Sequence, residues 1–590
     1  MTTAIVTRGG AWLIESTTAQ STFTPERMTE DHRLIAQTTE EFASGEVVPA
    51  IERLEQKDWS LARALLRRCG ELGLLGVNVP EVYGGVELDK VSSLVVSEHI
   101  ARSASFGATY GAQANLCILP ILMFGTDDQK LRYLPKLVSG ELVGAYALSE
   151  SGSGSDALGA RAKAMRQPDG SFKLSGEKMW ITNGGFADVV IVFAKVDGEH
   201  FSAFIVERAF AGVTSGKEEH KMGLHGSSTT PIILQDVGVP AANLLGEIGK
   251  GHKVAFNVLN FGRLKLGAMC TGGCKTGIGE AAKYAASRRQ FGQPIATFGA
   301  IRHKLGEMTA RTYALEALMY RTAGVIDQHM AAAGGERHLA LLAALEEFAV
   351  EASIAKVAGS EVLDFVLDEN VQIHGGNGFV RDYPAERHYR DARVNRIFEG
   401  TNEINRLLIP GMLMKRALKG ELALIPAAKR LMDEVMSPAP PSLDAGDGAP
   451  LGGEAKAVEA FKKVTLLGLG AAMQRFGAKL QDEQEVLLWL ADLAIDTYAS
   501  ESAVLRAQAA AGSRAAASHE DAARTFVSDA SLRVEMTARQ VLAAIAEGDV
   551  LRTNLAALRR LLKTVPADTV SARRRLADAT VQRGAYVFGR

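Results

Sequence analysis

The chain has 590 residues, a formal net charge of -2 and a hydrophobic content of 47%. A single core rarely serves so many residues, so we expect three or four domains, and the balanced charge gives no overall argument for a nucleic-acid partner. The N-terminus lacks the pattern of a secretory signal or a transit peptide, and no run of about 18 uninterrupted apolar residues predicts a membrane span.

The cysteines of the chain show no pattern of a metal site. Neither a CxxC pair nor a Cys/His cluster is present. Zinc and iron–sulfur sites usually show such spacings, so no metal is predicted. We expect the four thiols to be reduced and to lie in the core of a cytoplasmic protein: Cys69, Cys117, Cys270 and Cys274.

The hydrophobic pattern changes character several times along the chain. Residues 1–25 are predicted to form a loose polar arm, followed at 26–142 by a helical domain with apolar residues at i, i+3 and i+4 spacing. Short alternating runs between Gly-Asp, Asn-Gly and Pro-Asp-Gly turns predict a β domain at 143–250. Long helical patterns return at 251–420 and indicate a helix bundle.

Four segments within these domains could contact a planar or phosphorylated ligand. Residues 146–156 (Y-A-L-S-E-S-G-S-G-S-D) offer hydroxyls and backbone N–H groups, and residues 178–185 offer a Trp and a Thr at a strand end. Arginines at 287–293 suit a diphosphate, and the glycines at 371–379 allow a close backbone approach. Each also has an ordinary explanation: a polar loop, an Asn-Gly hairpin, a cationic helix end and a helix C-cap.

The stretch R-I-F-E-G-T-N-E-I holds a carboxylate, Glu399, between Phe398 and Gly400. Thr401 is a good N-cap and Glu403 is suited to a first helical turn, so Glu399 is predicted to lie on a short non-helical turn between two helices. A carboxylate beside an aromatic side chain loses hydration, which raises its pKa toward that of a general base. The ordinary alternative is a solvated acid in a loop.

The end of the chain is predicted to be a separate helical region. A Pro/Gly-rich linker at 437–453 leads to an alanine-rich helical domain at 454–590. Pro410 is expected to end or kink the helix that follows Glu399. The last forty residues are basic, which indicates either a solvated helix face or attraction to an anionic membrane surface. The basic residues are Arg552, Arg559, Arg560, Lys563, Arg573, Arg574, Arg575, Arg583 and Arg590.

Taken in order, these segments resemble the acyl-CoA dehydrogenase family. The resemblance covers residues 23–418, continues more weakly beyond them, and includes F-G-T-D-D-Q-K-L-R-Y-L-P-K-L-V-S-G-E, Y-A-L-S-E-S-G-S-G-S-D, W-I-T-N-G-G, L-N-F-G-R, S-R-R-Q-F-G, Q-I-H-G-G-N-G-F and R-I-F-E-G-T-N-E-I. The C-terminal extension is most like the very-long-chain subfamily. The resemblance implies a mostly α fold with a central β domain: a helical N-terminal domain, a β-barrel-like middle domain, a four-helix bundle and an extra C-terminal helical domain.

The resemblance also implies a FAD cofactor between the β domain and the bundle, with its tail crossing a homodimer interface. The group at 288–291 and 372–376 would then reach the FAD of the partner subunit. The residues that match the family's FAD contacts are Tyr146, Leu148, Ser149, Gly154, Ser155, Trp180, Ile181, Thr182, Arg288, Gln290, Phe291, Gln372, Gly375, Gly376, Thr401 and Glu403.

Glu399 matches the family's catalytic base, which removes the α-proton of an acyl-CoA while a hydride leaves the β-carbon. The implied reaction is α,β-dehydrogenation of fatty acyl-CoA to trans-2-enoyl-CoA in β-oxidation, with electrons passing to electron-transferring flavoprotein. The residues that match the family's substrate contacts are Ser155, Asn260, Arg263, Phe398 and Gly400.

Chain length, acceptor and location stay open at the level of sequence. Small residues lie where the resemblance places the acyl tunnel, which favours either a deep slot for a long chain or close helix packing. The alternatives to a dehydrogenase are an acyl-CoA oxidase that uses dioxygen and a flavoprotein-like assembly or scaffold factor. We expect a cytoplasmic protein with peripheral contact at the inner face of the membrane. The small residues are Gly107, Gly111, Ala112 and Ala114.

Overall fold

The computed structural model describes residues 7–436, 451–564 and 566–589. The linker predicted at 437–453 therefore lies almost entirely outside the described residues. Within them, helices dominate and the strands are concentrated in the middle of the chain. The predicted fold class, mostly α with a central β domain, is confirmed.

The first part of the chain is helical, and five of its seven helices begin at a side chain that caps them. Thr126, for example, accepts a hydrogen bond from the N–H of Gln129, whose own side chain accepts from the N–H of Thr126. The helices are α1 (Glu30–Phe42), α2 (Ile51–Glu55), α3 (Trp59–Glu71), α4 (Lys90–Ile100), α5 (Ala104–Gly111), α6 (Ile118–Phe124) and α7 (Asp127–Val138).

The middle of the chain forms eight strands: β1 (Gly144–Ala147), β2 (Lys163–Arg166), β3 (Phe172–Thr182), β4 (Val189–Val196), β5 (His200–Glu207), β6 (Val213–Ser215), β7 (Thr229–Val239) and β8 (Leu244–Leu245). They make one mixed sheet in the order β6-β7-β3-β2-β4-β5-β8, with β1 paired to β4. β4 runs parallel to β1 and β2. It is apolar along almost its whole length because both of its faces are buried.

The helices that follow the sheet form the predicted bundle, in which α11 packs against α8, α9 and α13. Two short strands at the end of α8 form a small hairpin. The elements are α8 (Gly251–Ser287), β9 (Arg289–Gln290), β10 (Gln293–Pro294), α9 (Gly299–Ala333), α10 (Arg337–Glu347), α11 (Ala349–His374), α12 (Ala385–Ala392) and α13 (Asn402–Leu418).

The C-terminal helices do not stand apart from the bundle. Helices α15, α16 and α17 pack on one another, and α16, α17 and α19 pack on α9. One apolar core therefore runs from the bundle into the C-terminal region, while the N-terminal helices and the sheet share a second. The helices are α14 (Leu424–Met436), α15 (Gly452–Phe476), α16 (Gln484–Ala509), α17 (Ala516–Ile545), α18 (Gly548–Leu561) and α19 (Thr569–Arg583).

The prediction of a loose N-terminal arm is wrong for residues 7–25. Trp12 is buried, and its Nε1 donates to Glu351 Oε1 at 3.0 Å. The N–H of Gly10 donates to the same oxygen at 2.7 Å. The apolar triplet around Trp12 is therefore part of the bundle core, and its burial compensates for the ordering of an otherwise polar segment.

Three smaller expectations concern Pro410, membrane spans and the cysteines. Pro410 lies inside α13, which continues to Leu418, so Pro410 does not end this helix, and the predicted kink stays a prediction. Pro410 is buried, and packing of the helix outweighs the one hydrogen bond that a proline removes. Residues 104–124 are long and apolar enough for a membrane span, but 83% of their most apolar window is buried inside the protein, as in a core helix. All four cysteines are buried and free, as predicted.

A buried ion-pair network joins the C-terminal helices to the bundle. Arg506 of α16 is fully buried, and it donates to Glu316 Oε2 at 2.6 Å and to Glu26 Oε1 at 2.8 Å. Lys275 and Tyr586 also donate to Glu316. Burial alone would raise the pKa of Glu316, but the charges of Arg506 and Lys275 lower it to about 2. The network therefore stays ionised at neutral pH.

We expect Arg506→Ala to lower the free energy of unfolding by about 3–5 kcal/mol, because it leaves buried carboxylates without their counter-charge. Chemical denaturation monitored by circular dichroism measures the change. Arg552→Ala is the matched control, since the Arg552 side chain is 82% exposed and its pair with Asp549 contributes at most about 1 kcal/mol. Equal stability of the two variants would contradict the role given to the network.

Candidate active site

Glu399 lies on the turn between a short 3-10 helix (Arg393–Arg396) and α13, as the sequence predicts. Its φ is 57° and that of Gly400 is 77°. A left-handed conformation costs a residue with a side chain about 1–3 kcal/mol, so surrounding contacts must hold it. Thr401 caps α13 with its hydroxyl, and Glu403 follows in the first turn.

Two buried side chains hold the carbonyl groups of this turn. Arg263 Nε donates to the carbonyl of Glu399 at 3.2 Å, and its Nη1 donates to Asn260 Oδ1 at 2.9 Å. Asn405 Nδ2 donates to the carbonyl of Gly400 at 2.9 Å. Because these side chains belong to α8 and α13, rigid helices rather than another loop fix the position of Glu399.

The carboxylate of Glu399 has an environment that is rare for a charged group. Its Oε2 is buried, and no residue in the described part of the chain donates a hydrogen bond to it. Burial raises the pKa of Glu399 to about 7, although the charges of Arg263 and Lys356 oppose this rise. A carboxyl group with such a pKa is ionised in about half of the molecules at neutral pH, and its basicity suits a general base.

Tyr146, on β1, lies close enough to Glu399 to feel its charge. Its hydroxyl is buried and has no hydrogen-bond partner among residues 7–436, 451–564 and 566–589. Burial, together with the charge of Glu399, raises the pKa of Tyr146 well above its usual value. Two orphaned buried polar atoms, one from the sheet and one from the bundle, thus mark the same place as a site for a polar ligand.

The loop after β1 is fastened to β3 by an ion pair. Lys178 Nζ donates to Glu150 Oε1 at 2.6 Å, and both side chains are buried. The same Nζ donates to the carbonyl of Leu148 at 3.1 Å, and the carbonyl of Ser149 accepts a backbone N–H from β3. The predicted residues Leu148 and Ser149 are therefore held against the strand that carries the next candidate.

Trp180 is 56% exposed, although it is a large aromatic residue in the middle of a sheet. The pairing of β3 with β7 shifts register between Lys178 and Ile181, and Trp180 has a φ of 58°. A bulge of this kind turns a side chain away from the regular face of a sheet. Ile181 is buried and Thr182 half-buried at the strand end. The hairpin alternative is wrong, because β3 pairs with β2 and β7 and not with β4.

A second group of predicted cofactor residues lies at the far end of α8. The rings of Tyr284 and His374 stack at 4.2 Å, which joins the end of α8 to the glycine-rich end of α11. From Arg263 to the end of α8 the helix rises roughly 36 Å at 1.5 Å per residue, so this group is remote from Glu399. Its members are all exposed: Arg288, Gln290, Phe291, Gln372, Gly375 and Gly376.

The structure does not gather every predicted ligand contact at one place. Gly154 and Ser155 are exposed, and a Cβ on Gly154 would meet nothing within 4 Å. Asn260 and Arg263 are buried, and their hydrogen bonds go to each other, to Leu345 and to the carbonyl of Glu399. Their observed part is to support the turn, and the CoA contact stays a prediction.

An apolar cavity of about 70 Å³ lies beside Phe398, between α5, α8 and α11. Gly107 lines this cavity, as expected for an acyl slot. Gly111, Ala112 and Ala114 are not among its lining residues, and both alanines are buried in close packing. Close packing therefore accounts for the two alanines, and an acyl slot beside Gly107 stays a prediction.

Four family profiles match the chain, and all of them describe acyl-CoA dehydrogenases. The N-terminal domain matches residues 29–141, the middle domain 145–237, and two C-terminal domain profiles match 249–413 and 460–560. A probable acyl-CoA dehydrogenase of Bacillus subtilis is 47% identical over 592 residues, which is 99% of either chain. The chain belongs to the acyl-CoA dehydrogenase family.

Solved structures of this family resemble the chain to different extents. An acyl-CoA dehydrogenase from Bacillus anthracis complexed with FAD matches with a TM-score of 0.96 and 46% identity, covering 98% of this chain and all of that one. The butyryl-CoA dehydrogenase of Megasphaera elsdenii reaches 0.60 and 36%, covering 66% of this chain. The human mitochondrial very-long-chain enzyme is 39% identical but covers only 61% of this chain and 53% of that one. Membership of the very-long-chain subfamily stays a prediction.

Sequence reasoning missed three residues that shape the site of this acyl-CoA dehydrogenase. A Cβ on Gly262 would lie 2.8 Å from Glu399 Oε2, so only glycine leaves room for the carboxylate. The L-N-F-G-R motif, which contains Gly262, could have indicated this residue. Asn402 lies in the R-I-F-E-G-T-N-E-I motif, which was its signal. Lys356, which donates to Asn402 at 2.7 Å, gave no signal, because it lies in a helix whose pattern indicates only a core face.

We expect Gly262→Ala to lower kcat/KM for an acyl-CoA about 100-fold, because the new methyl group displaces the carboxylate of Glu399 by a fraction of an ångström or more. Steady-state kinetics with a dye acceptor measures the change. Gly279→Ala is the matched control on the same helix, since its Cβ would meet Gly584 only at 3.6 Å. Full activity of Gly262→Ala would show that the carboxylate can relocate freely.

Proposed function

We propose that the protein is a FAD-dependent dehydrogenase of fatty acyl-CoA, which forms trans-2-enoyl-CoA in β-oxidation and passes electrons to electron-transferring flavoprotein. The single observation that carries this proposal is Glu399, a carboxylate whose Oε2 has no hydrogen-bond partner among the described residues and whose pKa lies near 7. Family membership supplies the substrate class, and the solved relative complexed with FAD supplies the cofactor class.

Proton removal is the part of the reaction that this chain performs. The α-proton of a thioester is only weakly acidic, so a base must act where negative charge is stabilised as it develops. Glu399 accepts this proton at its free carboxylate oxygen, and the buried charges of Arg263 and Lys356 favour the developing anion. The strained turn holds the base in one position, which spares the entropy of orienting it. A bound FAD supplies the hydride acceptor.

The residues around Glu399 fit a flavin. Trp180 presents an exposed aromatic face from a bulged strand, which suits stacking on a planar ring. The hydroxyl of Tyr146 is buried without a partner among the described residues, and the loop at 146–156 is pinned through Glu150. These donors and surfaces lie on the sheet, while the base lies on the bundle, so a planar cofactor between the two would contact both.

A second copy of the chain would complete the cofactor site. The group around Phe291 lies roughly 36 Å along α8 from Arg263, which supports the Glu399 turn. One copy of the chain therefore cannot bring this group and Glu399 to the same end of one ligand. Phe291 is 92% exposed and Phe379 is 87% exposed. Large aromatic side chains that are exposed to this extent favour a surface that a partner covers. We propose a homodimer in which this group reaches the partner's FAD.

A preference for long acyl chains and membership of the very-long-chain subfamily are also proposed, and they rest on the C-terminal extension. The cavity of about 70 Å³ beside Phe398 is too small to hold a long acyl chain, so it does not support this part of the proposal. Location in the cytoplasm and contact with the membrane are further proposals. Arg573 and Arg575 already pair with Asp529 and Asp521, so any membrane contact would rest on the other basic residues of the C-terminal region.

We expect Glu399→Gln to keep FAD and acyl-CoA binding but to lose turnover by at least about 1,000-fold, because the amide cannot accept the α-proton. Flavin absorbance of the purified variant and steady-state kinetics measure the two properties. Glu421→Gln makes the same change at an exposed residue and should leave turnover intact. Near-normal turnover of Glu399→Gln would exclude it as the base.

Palmitoyl-CoA should bleach the flavin of the loaded protein in the absence of oxygen, because transfer of a hydride reduces it. Butyryl-CoA at the same concentration should bleach it more slowly, and the reverse order would reject the preference for long chains. Measurement of hydrogen peroxide during aerobic turnover tests the oxidase alternative. A flavin that no acyl-CoA reduces would favour an assembly or scaffold role instead.

A further inference from the structure

Lys356 is a buried cation for which the described residues offer no ion-pair partner. Its side chain lies on α11 and is fully buried, and its Nζ donates to Asn402 Oδ1, a neutral acceptor, at 2.7 Å. No carboxylate of the described chain lies within salt-bridge distance of it. A buried ammonium of this kind is costly, so its retention calls for a partner whose charge it serves.

Asn402 connects Lys356 to the base. It is the first residue of α13 and lies three residues after Glu399. Its amide group donates to Glu361 Oε1 at 3.0 Å and exchanges hydrogen bonds with Ser360. Because Lys356 and Ser360 are neighbours on one turn of α11, they hold the start of α13, and with it the end of the Glu399 turn, against a rigid helix.

The charges that face this place come from three elements. Lys356 faces the charges of Arg263 of α8, Glu399 of the turn and Glu403 of α13. The nearby Cys270 thiol of α8 is neutral, because burial raises its pKa to about 12. Burial lowers the pKa of Lys356 to about 8, which still leaves it mostly protonated at neutral pH. The same positive charge, with that of Arg263, lowers the pKa of Glu399 against the effect of burial.

We propose that Lys356 is a positioning residue for the reaction: through Asn402 it fixes the start of α13, and it presents to the Glu399 turn a positive charge that no carboxylate of the described residues pairs. This inference rests on the proposed function of Glu399. Two helices then support the same turn in different ways. Arg263 of α8 donates to the carbonyl of Glu399, and Lys356 of α11 donates to Asn402 at the start of α13.

The pH dependence of kcat/KM tests this proposal, because it reports the ionisation of the free enzyme. The wild type should lose activity as pH falls through about 7, where the Glu399 carboxylate takes up a proton. We call this fall in activity the acid limb of the pH profile. Lys356→Gln should move the midpoint of the acid limb to a higher pH by about one unit, because loss of a nearby positive charge raises the pKa of a carboxyl group by one unit or more. Lys356→Arg keeps the charge and should leave the limb near its wild-type position.

Ser360→Ala is the matched control. It removes a hydrogen bond to the same Asn402 from the same helix but changes no charge, so its acid limb should stay at the wild-type pH. Flavin content and melting temperature, measured for every variant, separate a shifted limb from a damaged fold. An unmoved limb in Lys356→Gln, or an equal shift in Ser360→Ala, would overturn the proposal.

Lys356→Met provides a second test of the charge. The methionine side chain is unbranched and apolar, so it suits a buried position, and it removes the positive charge. The acid limb should again move upward, and a limb at the wild-type pH would overturn the charge effect. If the proposed function itself is wrong, the wild type will not oxidise acyl-CoA at any pH, which is a different result.

Discussion

The carboxylate of Glu399 imposes a constraint that much of the site is arranged to meet. A carboxylate with no hydrogen-bond donor would be expelled to solvent or kept protonated in most proteins. Here it stands in a left-handed turn, with its carbonyl held by Arg263 and a buried ammonium, Lys356, behind it. Loss of hydration raises the pKa of Glu399, and the charges of Arg263 and Lys356 limit this rise, so that the group is not protonated at every physiological pH.

The position of this carboxylate depends on long helices that are themselves held elsewhere. Helix α8 supplies Arg263 and leaves room for the carboxylate at Gly262, and α11 supplies Lys356. Both helices belong to the core that continues into the C-terminal region, where Arg506 joins α16 to Glu316 of α9. The C-terminal helices therefore brace the bundle that carries the base, although none of their residues is placed at the site.

Several features of the fold could be read from local patterns. The alternation of β strands, the helix-period segments and the cap at Thr401 each follow from neighbours within a few residues, and the structure confirms them. The N-terminal arm and Pro410 could not be read in this way. Trp12 is buried in the core of the bundle and donates to Glu351, more than three hundred residues away. Pro410 is tolerated because tertiary packing stabilises its helix.

The sequence by itself determined the motifs, the turn that carries Glu399 and the family that the chain resembles, because these depend on the identity and order of nearby residues. Tertiary structure alone decided that Glu399 lacks a hydrogen-bond donor among the described residues, that Gly262 faces it, and that Lys356 stands behind it. It also separated the two groups of predicted cofactor residues along α8. Burial and charge at a point in space are sums over segments distant in sequence, so no local pattern can reveal them.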